Sequence, residues 1–231
     1  MQEENQLNQV KFLEGVSKET LIKMWDVGSV RKYGKSKILF SARESTDMIF
    51  IQLSGKSMIY HLSHNGGRKI IFILGPGSLL NDRVAVPHTS ANYCETIEKS
   101  WIFTIECSFF RQLMQEDFLL AEAVLGVQER KLWRTSHQLK NTMGSVFMER
   151  KLAAKLWKLS RDFGTDRPEG REIDIQMSVT FLADMLGASR ETTSRLCGIL
   201  EEKGLIRMEK KRIVIPDTKK MSYFYKTGKI L

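Results

Sequence analysis

Cysteine is scarce in this 231-residue sequence and poorly placed for bonding: Cys94, Cys107 and Cys197 are odd in number and far apart. That excludes a disulfide framework and a CxxC-type zinc site. Long hydrophobic runs are missing too; no stretch approaches the ~18–20 apolar residues that span a bilayer. The opening MQEENQLNQV is polar and acidic, where a secretory leader is basic and then apolar, so a cytoplasmic protein with no membrane helix is expected. Only four histidines occur, and His61, His64, His88 and His137 make no recognisable metal pair. His61 and His64 read as strand and turn residues of one hairpin. What is present is globular: 42% hydrophobic and 27% charged residues, in a chain long enough for one large domain or two small ones.

The charge is unevenly spread. Lys and Arg number 36 against 27 Asp and Glu, a net +9. Residues 1–143 hold 18 basic and 15 acidic side chains, whereas the shorter 144–231 holds 18 and 12. From Lys203 to Leu231 there are 9 basic and 2 acidic residues. A cationic C-terminal portion suits a polyanion such as nucleic acid, although a solvated lysine-rich surface has the same composition.

After a short helical lead over Lys18–Asp26, residues 28–106 read as strands: Lys37–Phe40, Met48–Leu53, Ser57–Leu62, Lys69–Leu74 and Trp101–Ile105. Turn signals separate them at Gly34, Ser54-Gly55, Asn65-Gly66-Gly67 and Gly75-Pro76-Gly77. Short strands at such spacing predict a β-sandwich or barrel. Asn65-Gly66 between two apolar strands is a hairpin signal.

At Ser108 the character changes, with no proline as far as Met143. Phe118, Leu125, Leu132 and Leu139 recur every seven residues, which puts them on one stripe of a helix over 118–143. Such a helix of about 26 residues is ~39 Å long. One β-domain cannot cover that length, so a second copy of the helix is the economical partner; burial within one chain is the alternative.

A helix over 149–162 and a polar loop, GTDRPEG, come next. Ser178 is a plausible N-cap for a helix ending at Gly187, and Ala188-Ser189 lead into a second helix from Arg190 to about Lys203, stopped by Gly204. Two short helices joined by a glycine turn form a helix-turn-helix. Leu205–Arg207 and Arg212–Ile215 then flank a basic hairpin tip containing Lys210 and Lys211, a wing. On the second helix Arg190, Ser194, Glu191 and Arg195 fall within an arc of roughly 140°. Thr192, Leu196, Ile199 and Leu200 lie opposite, to pack on Leu182, Met185 and Leu186. The polar arc offers what major-groove readout needs: guanidinium groups for guanine O6/N7 and a carboxylate for cytosine N4. A solvated face with an incidental Glu191–Arg195 pair is the bland alternative.

At LADMLGASRETTSRLCGILEEKGLI the chain resembles the CRP/FNR family of bacterial transcription regulators, whose recognition helix carries a G-x-S-R-E-T-x-S-R pattern. The resemblance covers nearly the whole chain and implies an α+β fold: an N-terminal antiparallel β-roll of the cyclic-nucleotide-binding type over 1–107, linking and dimerisation helices over 108–143, opened by FFRQLMQ, and a winged helix-turn-helix over 144–231. It implies Arg190, Glu191 and Arg195 as base readers, with Ser194 beside them. Ser178, Ser189, Lys210, Lys211 and Arg212 would be further DNA contacts. The partners it implies are double-stranded DNA with an inverted repeat, a second copy of the chain, and RNA polymerase if the protein activates. Val179 departs from the pattern, since cAMP-binding members carry a phosphate-holding arginine there.

The same resemblance speaks against cAMP. Cyclic-nucleotide binders have an F-G-E cassette and a later R-S pair; here the stretches are Gly77-Ser78-Leu79-Leu80-Asn81 and Asn92-Tyr93, without the ribose-binding carboxylate or the phosphate-binding arginine. A buried phosphate without a charged partner is costly. Thr135 and Ser136 do match nucleotide-contacting positions. An iron–sulfur cluster of the oxygen-sensing kind is not expected, because no cysteine precedes Cys94. The remaining features are similar to the halorespiration-type branch, which implies a small phenol or aromatic acid held by Leu79, Leu80, Asn81, Tyr93 and the long helix. Lys131 or Arg130 would supply the counter-charge. The rival from another class, a cupin-like β-barrel enzyme with an accessory C-terminal domain, needs a metal cluster or nucleophile–base pair that the barrel segment lacks.

Overall fold

A computed structural model describes residues 6–81, 83–85, 89–140 and 147–231. His88 and the expected helix end at 141–143 lie outside the described residues. The chain divides into two compact units, 1–62 with 70–136, and 63–69 with 137–231.

In the first unit eight strands form two antiparallel four-stranded sheets. β1 (Ser29–Tyr33), β8 (Ser100–Glu106), β3 (Met48–Ser54) and β6 (Ser78–Leu79) make one, in that order; β2 (Ile38–Phe40), β7 (Tyr93–Thr96), β4 (Ser57–Leu62) and β5 (Arg68–Leu74) make the other. The five expected strands are found, and β1, β6 and β7 are added. Their sequences are too short or too polar to stand out, and pairing with longer neighbours makes them strands. Asn65-Gly66 turns the β4–β5 hairpin, with Gly66 left-handed at φ 75° and its N–H donating to the Ser63 carbonyl.

β3 is apolar on both faces because both are covered. Phe50 joins Phe40, Ile59, Phe72 and Ile102 in the core containing Leu80 and Cys94, while Ile49 and Ile51 join Phe103 and Ile105 in a second core roofed by helices. That roof contains α1 (Lys18–Val27), α2 (Cys107–Glu116) and α3 (Phe118–Lys140). Two 3-10 turns, Gln6–Gln9 and Lys11–Leu13, also bury Leu7, Phe12 and Leu13 in it. The N-terminal segment, polar by composition, therefore contributes core residues.

Between α2 and α3 Asp117 leaves helical geometry, at φ −124° and ψ 101°. Its carboxylate accepts from Leu119 N at 3.0 Å, Thr20 Oγ1 at 2.7 Å and Ser17 N at 3.2 Å. One side chain thus caps α3 and ties it to the start of α1.

The second unit comprises α4 (Met148–Phe163), β9 (Gly164–Arg167), β10 (Gly170–Ile173), α5 (Val179–Leu186), α6 (Arg190–Glu202), β11 (Arg207–Glu209), β12 (Arg212–Ile215) and α7 (Thr218–Thr227). Its antiparallel sheet runs β11-β12-β10-β9. The expected polar loop GTDRPEG is instead the β9–β10 hairpin. Arg171, Glu172 and Ile173 pair with Ile215, Val214 and Ile213, so tertiary pairing overrides the turn-rich composition. Helix α7 adds to the elements that the sequence predicts. Asp217 caps it by accepting from Lys219 N and Lys220 N, and Met221 and Phe224 are buried. Among the described residues no helix is long and apolar enough to cross a membrane.

Candidate nucleic-acid interface and effector site

Helices α5 and α6 begin and end where the sequence predicts. Ser178 caps α5 by accepting from Phe181 N at 3.1 Å, and Gly187 ends it at φ 76°, the left-handed conformation glycine tolerates. Ser189 caps α6 by accepting from Thr192 N at 3.1 Å. The hydroxyls of Ser178 and Ser189 are thus engaged within the fold, and each stands at the amide-rich start of its helix.

Leu182, Met185 and Leu186 of α5 are buried, as are Leu196 and Leu200 of α6. The buried arc of α6 is shifted from the expected one. It takes in Thr193 and Cys197, while Thr192 and Ile199 are half-buried. Thr193 is admitted because its hydroxyl donates to the Ser189 carbonyl at 2.9 Å. Burial pushes the Cys197 thiol up to about 11, with Glu201 adding to the rise. Arg190, Glu191, Ser194 and Arg195 are all exposed, on the first turns of α6.

The wing is the β11–β12 hairpin. Lys210 and Lys211 form its exposed tip. Arg212 is half-buried and engaged: its guanidinium donates to Glu172 Oε1 at 2.8 Å and Asp174 Oδ1 at 3.1 Å. Val179, the departure from the family pattern, is the half-buried first residue of α5.

In the first unit Leu79 and Leu80 are core side chains, 1% and 0% exposed. Asn81 is buried too, and its carboxamide braces β3: Oδ1 accepts from Phe50 N at 2.7 Å and Nδ2 donates to Met48 O at 2.9 Å. Both polar ends of the side chain are engaged by the fold. Lys131 reaches this segment from α3, donating to the Asn81 carbonyl at 2.7 Å, whereas Arg130 is exposed. Tyr93 stacks on Tyr60, centroids 5.2 Å apart. Thr135 and Ser136 are exposed, and the Thr135 hydroxyl donates back to the Lys131 carbonyl.

Sequence reading missed Gln128, three residues before Lys131. Its Nε2 is buried and has no hydrogen-bond partner, a rare state in a folded protein. The available signal was a polar residue on the stripe that carries Leu120, Val124 and Val127.

The exposed stripe of α3 is as the heptad spacing predicts: Phe118, Leu125, Leu132 and Leu139 are 71, 58, 69 and 66% exposed. Leu120, Val124 and Val127 on a second stripe are buried in the β-roll core.

Comparison with known proteins gives two family matches. A Crp-like helix-turn-helix domain matches residues 150–224, and a cyclic nucleotide-binding domain matches residues 30–117. A CRP-like cAMP-activated global transcriptional regulator of Mycobacterium tuberculosis is 24% identical over 191 residues, covering 82% of this chain and 85% of the relative. Among solved structures, a CooA mutant from Carboxydothermus hydrogenoformans superposes with TM-score 0.73 at 18% identity, covering 94% of each chain. FixK2 from Bradyrhizobium japonicum gives 0.74 at 18% identity, covering 85% of this chain and 96% of that one.

Proposed function

The chain belongs to the CRP/FNR family of transcription regulators, and from that premise we propose that it works as a homodimer that reads an inverted repeat and answers a small acidic aromatic effector. It is a sequence-specific DNA-binding regulator and not an enzyme. One observation carries the reading of DNA: Arg190, Glu191, Ser194 and Arg195 share the exposed arc at the start of α6, beside an exposed lysine tip. The α6 arc enters the major groove, with arginine on guanine and Glu191 accepting from cytosine, while Lys210 and Lys211 contact phosphates. Arg212 acts through the frame of the wing, since two carboxylates already hold it. The exposed α3 stripes of two copies cover each other and set half-sites about 34–36 Å apart. RNA polymerase is the partner if the protein activates. A cytoplasmic location follows from its DNA target.

Gln128 and Lys131 support the effector reading. A buried amide nitrogen without an acceptor, one turn from an ammonium group, suits a ligand carrying a phenolate or carboxylate. Such an anion would compete with the Asn81 carbonyl for Lys131 and take the Gln128 bond. Cyclic AMP fits poorly, because the cassette stretch carries neutral Asn81 in place of a ribose-binding carboxylate and lacks the phosphate-binding arginine. Binding would bias the long helices between two dimer arrangements, a population shift.

The test of base reading is a randomised operator library. Arg195→Ala should cost about 1–3 kcal/mol per half-site and relax preference at one base position. A loss spread evenly over all sequences would mean that α6 does not read bases through this face.

A further inference from the structure

The wing tip has the wrong residues for its backbone. Glu209 pairs with Arg212, so the hairpin turns through two residues only, Lys210 and Lys211. Both are left-handed, at φ 45° and φ 71°. A two-residue turn with φ positive at both positions is the I′ type, which favours Asn-Gly because Cβ crowds the following carbonyl oxygen there, glycine has no Cβ, and asparagine offsets the cost with a local hydrogen bond. Each lysine held there lowers the folding equilibrium by a factor of about 5–30.

The surroundings enforce this geometry. Met177 N, one residue before the α5 cap, donates to the Lys211 carbonyl at 2.7 Å. Met208 N donates to Glu201 Oε1 of α6 at 3.0 Å, and Arg212 is pinned by Glu172 and Asp174. The tip is therefore bonded to the entry of α5, and the strand that leads into it is bonded to α6. Neither lysine ammonium has a carboxylate partner among the described residues, and both residues are exposed.

We propose that the wing tip is a strained phosphate clamp, in which fold stability is given up to fix where two adjacent lysine side chains leave the backbone relative to the reading helix. Backbone strain persists where surrounding structure over-determines it, and here four named hydrogen bonds and the Glu209–Arg212 pairing do so. Free lysines on a mobile loop lose rotational freedom on meeting phosphate; a pre-set turn has already lost part of it. The inference rests on the reading of the wing as a phosphate-contacting element.

Two variants of the full-length protein separate strain from charge. Lys210→Gln with Lys211→Gln removes both charges and keeps side chains equally averse to the left-handed region. Lys210→Asn with Lys211→Gly removes the same charges and relieves the strain. Both should make the slope of log Kobs against log salt shallower by about two per subunit on operator DNA. The Asn-Gly variant alone should melt higher, by about 2–5 °C, after allowance for the extra freedom glycine gives the unfolded chain. If the two variants melt together, the tip is not strained and the proposal falls, whatever happens to binding. If Asn-Gly melts higher and neither salt slope changes, the strain stands but the lysines touch no phosphate, and the reading of the wing fails instead.

Discussion

The dimer reading turns on Leu132. Covering a leucine side chain fully is worth about 1.5–3 kcal/mol, so covering one that is two-thirds exposed is worth about 1–2. Phe118, Leu125, Leu132 and Leu139 are 58–71% exposed, and a two-fold pair of helices covers each of them twice. Eight such side chains contribute about 8–16 kcal/mol gross, against about 4–15 kcal/mol of lost freedom on association. The stripe is thus just sufficient, and one position matters. Leu132→Glu withdraws about 2–4 kcal/mol of burial and sets two carboxylates against each other across the axis, for about 1–4 kcal/mol more. The dimer constant should weaken at least ~100-fold. Because Leu132 is 69% exposed, the subunit itself should fold as before, which circular dichroism and thermal melting would verify. Sedimentation velocity across a concentration series should show monomers where the parent protein is dimeric, and a two-half-site operator should no longer be bound. Leu132→Met keeps the apolar volume and should keep the dimer. If Leu132→Glu sedimented as the parent at every concentration, the exposed stripe would not be the interface.

Cyclic AMP should leave the melting temperature unchanged, since ligand stabilisation follows RT ln(1 + [L]/Kd) and the cassette stretch lacks the ribose-binding carboxylate and the phosphate-binding arginine; a clear rise at micromolar cAMP would overturn the argument. A chlorinated phenol or aromatic acid that does raise it should lose the effect in Lys131→Met, and an undiminished shift would place the ligand elsewhere. Asp117→Ala should cost about 1–3 kcal/mol at neutral pH by uncapping α3 and freeing Ser17 and Thr20. Burial pushes the Asp117 carboxyl up, but hydrogen bonds from Thr20, Ser17 and Leu119 outweigh it, so it sits below the ordinary carboxylate value. The stabilisation is therefore complete above the unfolded pKa of about 3.9 and is lost as pH falls through the folded one. Parent and variant melting curves should converge in acid; a constant gap down to acid would show that the carboxylate charge plays no part.

Local signals determined a good deal of this protein. The caps Ser178 and Ser189, the stop at Gly187 and the apolar spacing of α5 and α6 are short-range features, and a helix-turn-helix made of them is legible without knowing what surrounds it. The seven-residue stripe of α3 is equally local, because helix geometry alone puts those residues on one line. Pairing at a distance is another matter. GTDRPEG has the composition of a loop and becomes a hairpin because its first strand pairs with β10, which β12 holds on the other side; Leu7 and Phe12 sit in a polar-looking segment and become core because the sheet of β1, β8, β3 and β6 has a face to cover. The same holds for the effector site. Asn81 looks like a ligand contact in the sequence, and the fold makes it a brace for β3; Gln128 lies on the apolar stripe of α3, and the fold buries its Nε2 without a partner. Sequence periodicity reports which way a side chain points from its own element. What it meets there depends on residues far along the chain, and only the tertiary structure decides that.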